Sequence, residues 1–138
     1  MGPSFKVPFL IIALIAMGTV NLMFLKTTPD MRSMIPELRV NASNIYRSFC
    51  EDEGQARQLY VDKIMEVSGL LRSVEKTPEG NYSLTMDFEG SMGYLRCDLS
   101  EEEYPDLARL RIGEVITVKG FFREYLFEVM MDQSIVIN

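Results

Sequence analysis

Residues 63–88, KIMEVSGLLRSVEKTPEGNYSLTMDF, decide the fold. In the first half of this stretch Met65, Val67, Gly69 and Leu71 occupy every second position, which predicts a β-strand that buries one face. A glycine inside a strand is typical of a bulge or a sharp bend. We therefore expect a long first strand that bends at Gly69, as a strand entering a closed barrel must.

The second half of the stretch starts with a turn signal and then repeats the period-two pattern. TPEGN (77–81) is rich in turn residues. In YSLTMDF (82–88) apolar residues alternate with Ser83, Thr85 and Asp87, which predicts a half-buried strand whose polar side chains point outward. Three further strands are predicted at 94–99, 113–122 and 125–137.

A helix is predicted between the third and fourth of these five strands. Ser100 and Glu103 form a capping-box pattern, and the helix should run to about Leu110 with Leu107 and Leu110 facing inward. This order, β-β-β-α-β-β, is that of the five-stranded OB-fold barrel. The sequence therefore predicts a mainly β OB-fold, with a generic α+β sandwich as the alternative.

The residues before the barrel predict short helices that follow a linker. Asn41 is a good N-cap, and Ile45, Phe49 and Cys50 lie at helical spacing behind it. A second short helix is predicted at 55–60. Residues 27–40 contain two prolines and no periodicity, and are predicted to be a linker, so that the OB-fold domain with its leading helices spans 41–138.

The N-terminal segment predicts a membrane anchor. Residues 7–25, VPFLIIALIAMGTVNLMFL, carry no charge and are flanked by Lys6 and Lys26. As a helix, 19 residues reach about 28 Å, close to the ~30 Å hydrocarbon core. We expect residues 1–26 to be a single transmembrane signal-anchor. Cleavage as a signal peptide after Ala16-Met17-Gly18 is the alternative, and the flanking charges do not decide the orientation.

Composition narrows the function classes. Twelve of the 14 basic residues and all 20 acidic residues follow Lys26. The segment after Lys26 therefore has a net charge of −8, which repels nucleic acid. The chain has no histidine, the commonest general base and metal ligand. We expect no enzymatic activity, no cofactor and no metal site. Cys50 and Cys97 either pair in an oxidising compartment or, as we expect, remain buried thiols.

Several short motifs resemble a known family. The first motif is a K-x-x-E-V-x-G strand that begins at Lys63. The second approximates a G-x-x-C segment: it starts at Gly93, and its cysteine, Cys97, comes one residue later than in that pattern. The third, L-x-x-G-x-x-x-T-V-K-G, runs from Leu110 to Gly120. In this order, over about residues 40–137, the motifs resemble the tRNA-anticodon-binding-like OB-fold family of small bacterial envelope proteins, many of them lipoproteins or single-helix membrane proteins. The resemblance implies an OB-fold domain in the cell envelope, and it does not imply tRNA binding.

The chain departs from this family at its end. Relatives tend to carry Cys-x-Gly after the K-G pair and a second cysteine in the last strand, where this chain has Phe122, Glu124 and Ser134. The resemblance implies that a cross-strand disulfide has been lost here, with Phe122 filling space and Glu124 altering the hairpin between the last strands.

The candidate binding surface follows from the OB-fold prediction. OB-folds bind ligands on the face of their second and third strands, which here offers Ser83, Thr85, Asp87, Glu89 and Arg96. Arg96 is the one cation among these residues and lies near two carboxylates, so this face should bind phosphate poorly. We therefore predict a non-enzymatic, membrane-anchored binding module whose C-terminal domain lies on the periplasmic side and binds a protein, peptide or glycan of the envelope. An oligonucleotide-binding domain that acts through a local patch is the alternative.

Overall fold

The computed structural model describes residues 30–88, 93–125 and 128–137. The predicted anchor (1–26) and Glu89 lie outside these residues. No helix among the described residues is long and apolar enough to cross a membrane. The elements are β1 (Leu38–Asn41), α1 (Ala42–Glu51), α2 (Glu53–Tyr60), β2 (Ile64–Lys76), β3 (Tyr82–Asp87), β4 (Tyr94–Leu99), a 3-10 helix (Glu101–Arg109), β5 (Val115–Tyr125) and β6 (Glu128–Val136).

Five of the strands close into a barrel. β2 pairs antiparallel with β3, β3 with β4 and β5 with β6, whereas β4 runs parallel to β6. The barrel closes because β2 also pairs with β5, using Ile64–Leu70, while its second half from Leu70 onward pairs with β3. The predicted mainly β fold with a closed five-stranded barrel and short helices is confirmed, and the alternative sandwich is wrong.

β2 changes its pairing partner at Leu70, next to Gly69, where the sequence predicts a bend. Met65, Val67 and Leu71 are buried on one face, as expected, and the register with β3 shifts just after Leu71. A Cβ at Gly69 would lie 3.1 Å from the Cβ of Ala42 and 3.2 Å from the sulfur of Met86. Glycine is therefore required by the close approach of α1 and β3 and not by a left-handed backbone, which Gly69 does not have.

The stretch predicted as a linker contributes to the fold. The last three residues of that stretch, 38–40, form β1 together with Asn41. β1 runs parallel to β2, with Leu38 opposite Met65 and Asn41 opposite Ser68. Residues 30–37, which we call the N-terminal strap, are tied to the barrel before β1 starts: Met31 is buried, and Glu37 N–H donates to Ile64 O at 2.8 Å.

Lys119, of the predicted K-G motif, holds the strap in place. A lysine beside a turn glycine is ordinarily a surface residue, but Lys119 is only 7% exposed. Its Nζ donates to the backbone oxygens of Arg32 and Met34 at 3.1 and 3.0 Å. A buried ammonium group requires such acceptors, because burial without hydrogen bonds would cost several kcal/mol. The lysine therefore fixes the path of the strap over β5.

Glu103 holds the strap from the other side, and this corrects the predicted capping box. Ser100 is the N-cap residue of the 3-10 helix, but its side chain makes no capping hydrogen bond. The carboxylate of Glu103 is 3% exposed, pairs with Arg32 of the strap and accepts a hydrogen bond from Val136 N–H at 3.2 Å. The helix is 3-10 and not α, and Leu107 and Leu110 pack against the core as predicted.

The two leading helices pack an aromatic cluster onto the barrel. Asn41 caps α1 as predicted by accepting from Ser43 N–H at 3.0 Å, and Asp52 caps α2. The ring of Phe122 stacks with that of Phe49, at a centroid distance of 6.2 Å, and is tilted against that of Tyr60, at 5.9 Å. Phe122 is fully buried and lies opposite Met131. It therefore fills core space, as the comparison with cysteine-containing relatives implies.

The two cysteines differ from the expectation in one respect. Both are free; Cys97 is buried, as predicted, but Cys50 is exposed at the end of α1, so the prediction of two buried thiols is wrong for Cys50. Burial, and then the neighbouring charge of Asp98, raises the pKa of the Cys97 thiol far above its ordinary value. At neutral pH Cys97 is therefore an inert apolar core residue.

Candidate binding face

The predicted surface residues come together on the outer side of β3 and β4. Leu84 and Met86 point into the core, so Ser83, Thr85 and Asp87 alternate outward. The antiparallel register places Thr85 opposite Arg96 and Ser83 opposite Asp98. Four of the five predicted residues thus share one face, and the fifth, Glu89, lies outside the described residues. We call this the β3–β4 face; its binding role stays a prediction.

The arginines of this face are paired with carboxylates of the same face. Arg96 Nε lies 3.1 Å from Asp98 Oδ1 and its Nη2 lies 3.3 Å from Asp98 Oδ2, a two-pronged contact within one strand. Arg72 Nη1 donates to Asp87 Oδ1 at 3.2 Å, and its guanidinium lies 5.8 Å from the ring centre of Tyr94. Each guanidinium therefore has an anionic partner before any ligand arrives.

A cleft of about 970 Å³ adjoins the β3–β4 face. Its walls are the 77–81 turn, the outer residues of β4, the end of β6 and the beginning of the strap. The lining holds two cations, Lys76 and Arg96, against six carboxylates: Asp30, Glu75, Glu79, Asp98, Glu101 and Asp132. Such a lining attracts positive charge and repels phosphate.

A tyrosine pair fixes one wall of the cleft. The rings of Tyr82 and Tyr104 meet edge to face with centroids 4.9 Å apart. Tyr104 Oη donates to Asn81 Oδ1 at 3.1 Å and accepts from Tyr82 N–H at 3.4 Å. Because these contacts link the turn, β3 and the 3-10 helix, the wall is set before a ligand binds.

The other wall carries a buried polar atom that has no hydrogen-bond partner among the described residues. Gln133 has a positive φ of 50° and lines the cleft at the end of β6. Within the described part of the chain, its buried side-chain oxygen Oε1 accepts no hydrogen bond. A buried acceptor of this kind costs about 1–3 kcal/mol until it is satisfied. An N–H group of a bound ligand is one way to satisfy it.

Sequence reasoning missed the parts of the cleft that come from distant segments. Asp132 and Gln133 of β6, Tyr104 of the 3-10 helix and Asp30 and Met31 of the strap all line it. Ser83, which the alternation places on an open face, is only 7% exposed at the cleft wall. Local pattern does not mark these residues, because they reach the cleft only when the barrel closes.

Comparison with known proteins identifies the family. The tRNA_anti-like family matches residues 4–135. The chain belongs to the tRNA_anti-like family. This confirms the resemblance drawn from the motifs, and it agrees with the closed barrel. The comparison with curated proteins found no match.

Solved structures support the OB-like fold of this tRNA_anti-like protein. A "putative nucleic acid-binding lipoprotein" from Klebsiella pneumoniae has a TM-score of 0.60 and 18% sequence identity, and the match covers 80% of this chain and 100% of that one. A "putative aspartyl-tRNA synthetase" from Leishmania major Friedlin has a TM-score of 0.51 and 8% identity, over 88% of this chain and 26% of that one. The S. pombe Stn1-Ten1 complex matches at a TM-score of 0.42 with 19% identity, covering 54% and 57% of the two chains. At these identities the likeness of the first two structures concerns the fold alone.

Proposed function

We propose that this tRNA_anti-like protein is a non-enzymatic binding module of the bacterial cell envelope, anchored by residues 1–26, whose cleft takes a basic peptide segment of a partner protein. The observation that carries the proposal is the charge arrangement of the cleft and the β3–β4 face. Six carboxylates line the cleft, and both arginines of the face are already paired with carboxylates.

A basic peptide suits this arrangement in two ways. Lysine or arginine side chains gain partners from Glu79, Asp98 and Asp132, which lie on different walls of the cleft. A peptide also brings backbone N–H groups, and one of these would pair with the side-chain oxygen of Gln133 once that buried side chain turned into the cleft. A glycan supplies hydroxyl donors but no positive charge, so the carboxylates favour the peptide.

An oligonucleotide is the second candidate, because the Klebsiella lipoprotein of similar fold is described as nucleic acid-binding. For phosphate to bind here, Arg96 would have to leave Asp98, and the phosphate would then lie among carboxylates. Charge-assisted phosphate contacts supply most non-specific nucleic acid affinity. The charge arrangement therefore favours the peptide.

The test compares labelled oligolysine, oligoglutamate of equal length and single-stranded homopolymers by fluorescence anisotropy, using the full chain in detergent. We expect oligolysine to bind in a salt-dependent way, and Asp98→Asn and Asp132→Asn each to weaken it roughly two- to fivefold, the range of an exposed ion pair. Glu53→Gln, which removes the same charge from α2, is the matched control and should leave binding unchanged. Homopolymer binding tighter than oligolysine binding would overturn the proposal.

The anchor has its own test. If residues 1–26 span the bilayer, the full chain remains in the membrane fraction after alkaline carbonate washing. A soluble mature chain that begins near Thr19 would instead demonstrate cleavage as a signal peptide.

A further inference from the structure

The N-terminal strap supplies part of the wall of the cleft. Its first residue, Asp30, contributes one of the six carboxylates of the lining, and Met31 beside it lines the cleft as well. Asp30 is exposed, whereas Met31 is only 4% exposed. The strap therefore reaches the cleft with a buried methionine and, directly before it, an acidic group that a ligand can contact.

The backbone of the strap fixes the carboxylate of Asp30. Arg32 N–H donates to Asp30 Oδ1 at 3.0 Å. Ser33 closes the same turn, because its N–H and its hydroxyl donate to Asp30 O at 3.1 and 2.8 Å. An aspartate that accepts from the backbone N–H two residues later is held in one orientation by its turn. The position of this carboxylate therefore depends on where Arg32 lies.

Arg32 is held at two points by residues from other elements. Its backbone oxygen accepts from Lys119 Nζ of β5 at 3.1 Å, and its guanidinium pairs with the carboxylate of Glu103 in the 3-10 helix. Glu103 is 3% exposed and is itself fixed by Val136 N–H of β6, which donates to it at 3.2 Å. β5, β6 and the 3-10 helix thus converge on a single residue of the strap, two positions after Asp30.

Lys119 and Glu103 influence the cleft without belonging to it. Neither is among the described residues that line the cleft, so neither contacts a ligand that lies there. Their hydrogen bonds lead through Arg32 to Asp30. Any effect that they have on binding, other than their long-range charge, must therefore pass through the position of the strap.

We propose that Lys119 and Glu103 are positioning residues of the cleft, which act through Arg32 to hold the Asp30 carboxylate against a basic side chain of the bound peptide. The proposal rests on the proposed function of the cleft and gives the strap a part in it. The strap is then a wall of the binding site, and the affinity of the cleft depends on the attachment of the strap to the barrel.

The sign of one substitution separates this positioning effect from simple electrostatics. Lys119→Met removes a positive charge, and by charge alone a more negative domain binds a polycation more tightly. If Lys119 positions Asp30, the same substitution releases the strap and weakens binding instead. The two effects change the dissociation constant in opposite directions.

The experiment measures the dissociation constant of labelled oligolysine by fluorescence anisotropy, with the full chain in detergent. We expect Asp30→Asn to weaken binding roughly two- to fivefold, as for an exposed ion pair, and Lys119→Met to weaken it by a similar factor. In the Asp30→Asn background Lys119→Met should cause no further loss, whereas in the Asp98→Asn background its effect should persist. Lys63→Met, which removes the same charge between α2 and β2, is the matched control and should not weaken binding.

A second variant breaks the other attachment of the strap. Glu103→Gln removes the charge that pairs with Arg32 but keeps a side-chain oxygen that accepts from Val136 N–H, so the buried site stays satisfied. It should weaken oligolysine binding about twofold. This loss should disappear in the Asp30→Asn background, which a pure charge effect would not do. Circular dichroism of each variant verifies that the barrel is folded.

Other results overturn the proposal. If Lys119→Met tightens oligolysine binding or leaves it unchanged, Lys119 acts through its charge and not through the strap. If Lys119→Met weakens binding equally with and without the Asp30 carboxylate, it loosens the barrel in general. Binding that Asp98→Asn weakens and Asp30→Asn does not would keep the cleft and refute the part given to the strap. A parent chain that does not bind oligolysine refutes the proposed function, and this inference with it.

Discussion

Gly120 allows β5 and β6 to approach each other, and adding one methyl group there should destabilise the barrel. A Cβ at this position would lie 2.6 Å from Ser134 Oγ, 2.8 Å from the backbone oxygen of Asp132 and 3.2 Å from Ser134 Cα. The first contact involves a side chain, but the second involves backbone that cannot rotate away. The register of β5 against β6 shifts at this point, so the strands are already locally irregular.

The expected magnitude comes from two opposing effects. Replacing glycine by alanine in a strand normally gains roughly 0.5–1 kcal/mol, because the unfolded chain loses freedom. Overpacking a tight site costs about 1–3 kcal/mol, and contact with fixed backbone lies at the upper end of that range. We therefore expect Gly120→Ala to lower the free energy of unfolding by about 1–2 kcal/mol.

The assay is urea unfolding of the full chain in mild detergent, followed by circular dichroism. Gly54→Ala is the matched control: its Cβ would meet only Asp52 Oδ1, at 3.6 Å, and in α2 the change should be neutral or slightly stabilising. Ser134→Ala removes a buried hydroxyl that has no partner among the described residues, and should rescue part of the Gly120→Ala loss. A Gly120→Ala protein within about 0.5 kcal/mol of the parent would refute the close-approach reasoning.

Four further outcomes follow from the fold. Gly69→Val should cost about 1–3 kcal/mol by overpacking against Ala42 and Met86, and urea unfolding should show partial relief by Ala42→Gly. Lys119→Met should remove both hydrogen bonds to the strap, so mass spectrometry should find faster hydrogen exchange in residues 30–37 and little change in β3; unchanged exchange would deny that Lys119 holds the strap. Burial raises the pKa of the Cys97 thiol in the folded state, so the buried neutral thiol contributes its full stability below the pKa of about 8.5 that it has in the unfolded chain. That contribution is lost as the pH rises above this value. The free energy of unfolding, measured across that pH range, should therefore decline, and Cys97→Ala should reduce the decline. A thiol reagent should label Cys50 and leave Cys97 untouched until the chain unfolds.

The barrel strands could be predicted because each buries one face, and burial of one face leaves a period of two in the sequence. Met65, Val67 and Leu71 in β2 and Leu84 and Met86 in β3 are all buried as that pattern requires. β1 escaped prediction because four residues, LRVN, are too short to show a period. Its strand character comes from pairing with β2, a tertiary effect.

The strap and its two holding residues could not be found from local pattern. Lys119 is buried because its acceptors, Arg32 O and Met34 O, lie 87 and 85 residues away in the chain. Glu103 sits at the capping-box position, but a tertiary partner, Arg32, takes its carboxylate. In both cases a charged residue serves a distant segment, and local sequence carries no sign of it.

About half of the residues that line the candidate site could be placed from the sequence. Alternation along β3 placed Thr85 and Asp87 correctly on the outer face, and strand order brought Arg96 beside them. The pairing of Arg96 with Asp98 depends on side-chain geometry, and the walls from β6 and the strap depend on barrel closure. These are the features that give the cleft its charge.

Fluorescence anisotropy of labelled single-stranded DNA and RNA homopolymers with the full chain, at low and at physiological salt, tests the central claim most directly. With Arg96 held by Asp98, and a net charge of −8 after Lys26, we expect no specific binding at physiological salt. Asp98→Asn, which frees Arg96, should increase any weak binding seen at low salt. Micromolar binding by the parent protein that falls steeply with the logarithm of salt, and that Arg96→Ala weakens, would contradict the account and make the β3–β4 face a nucleic acid-binding surface.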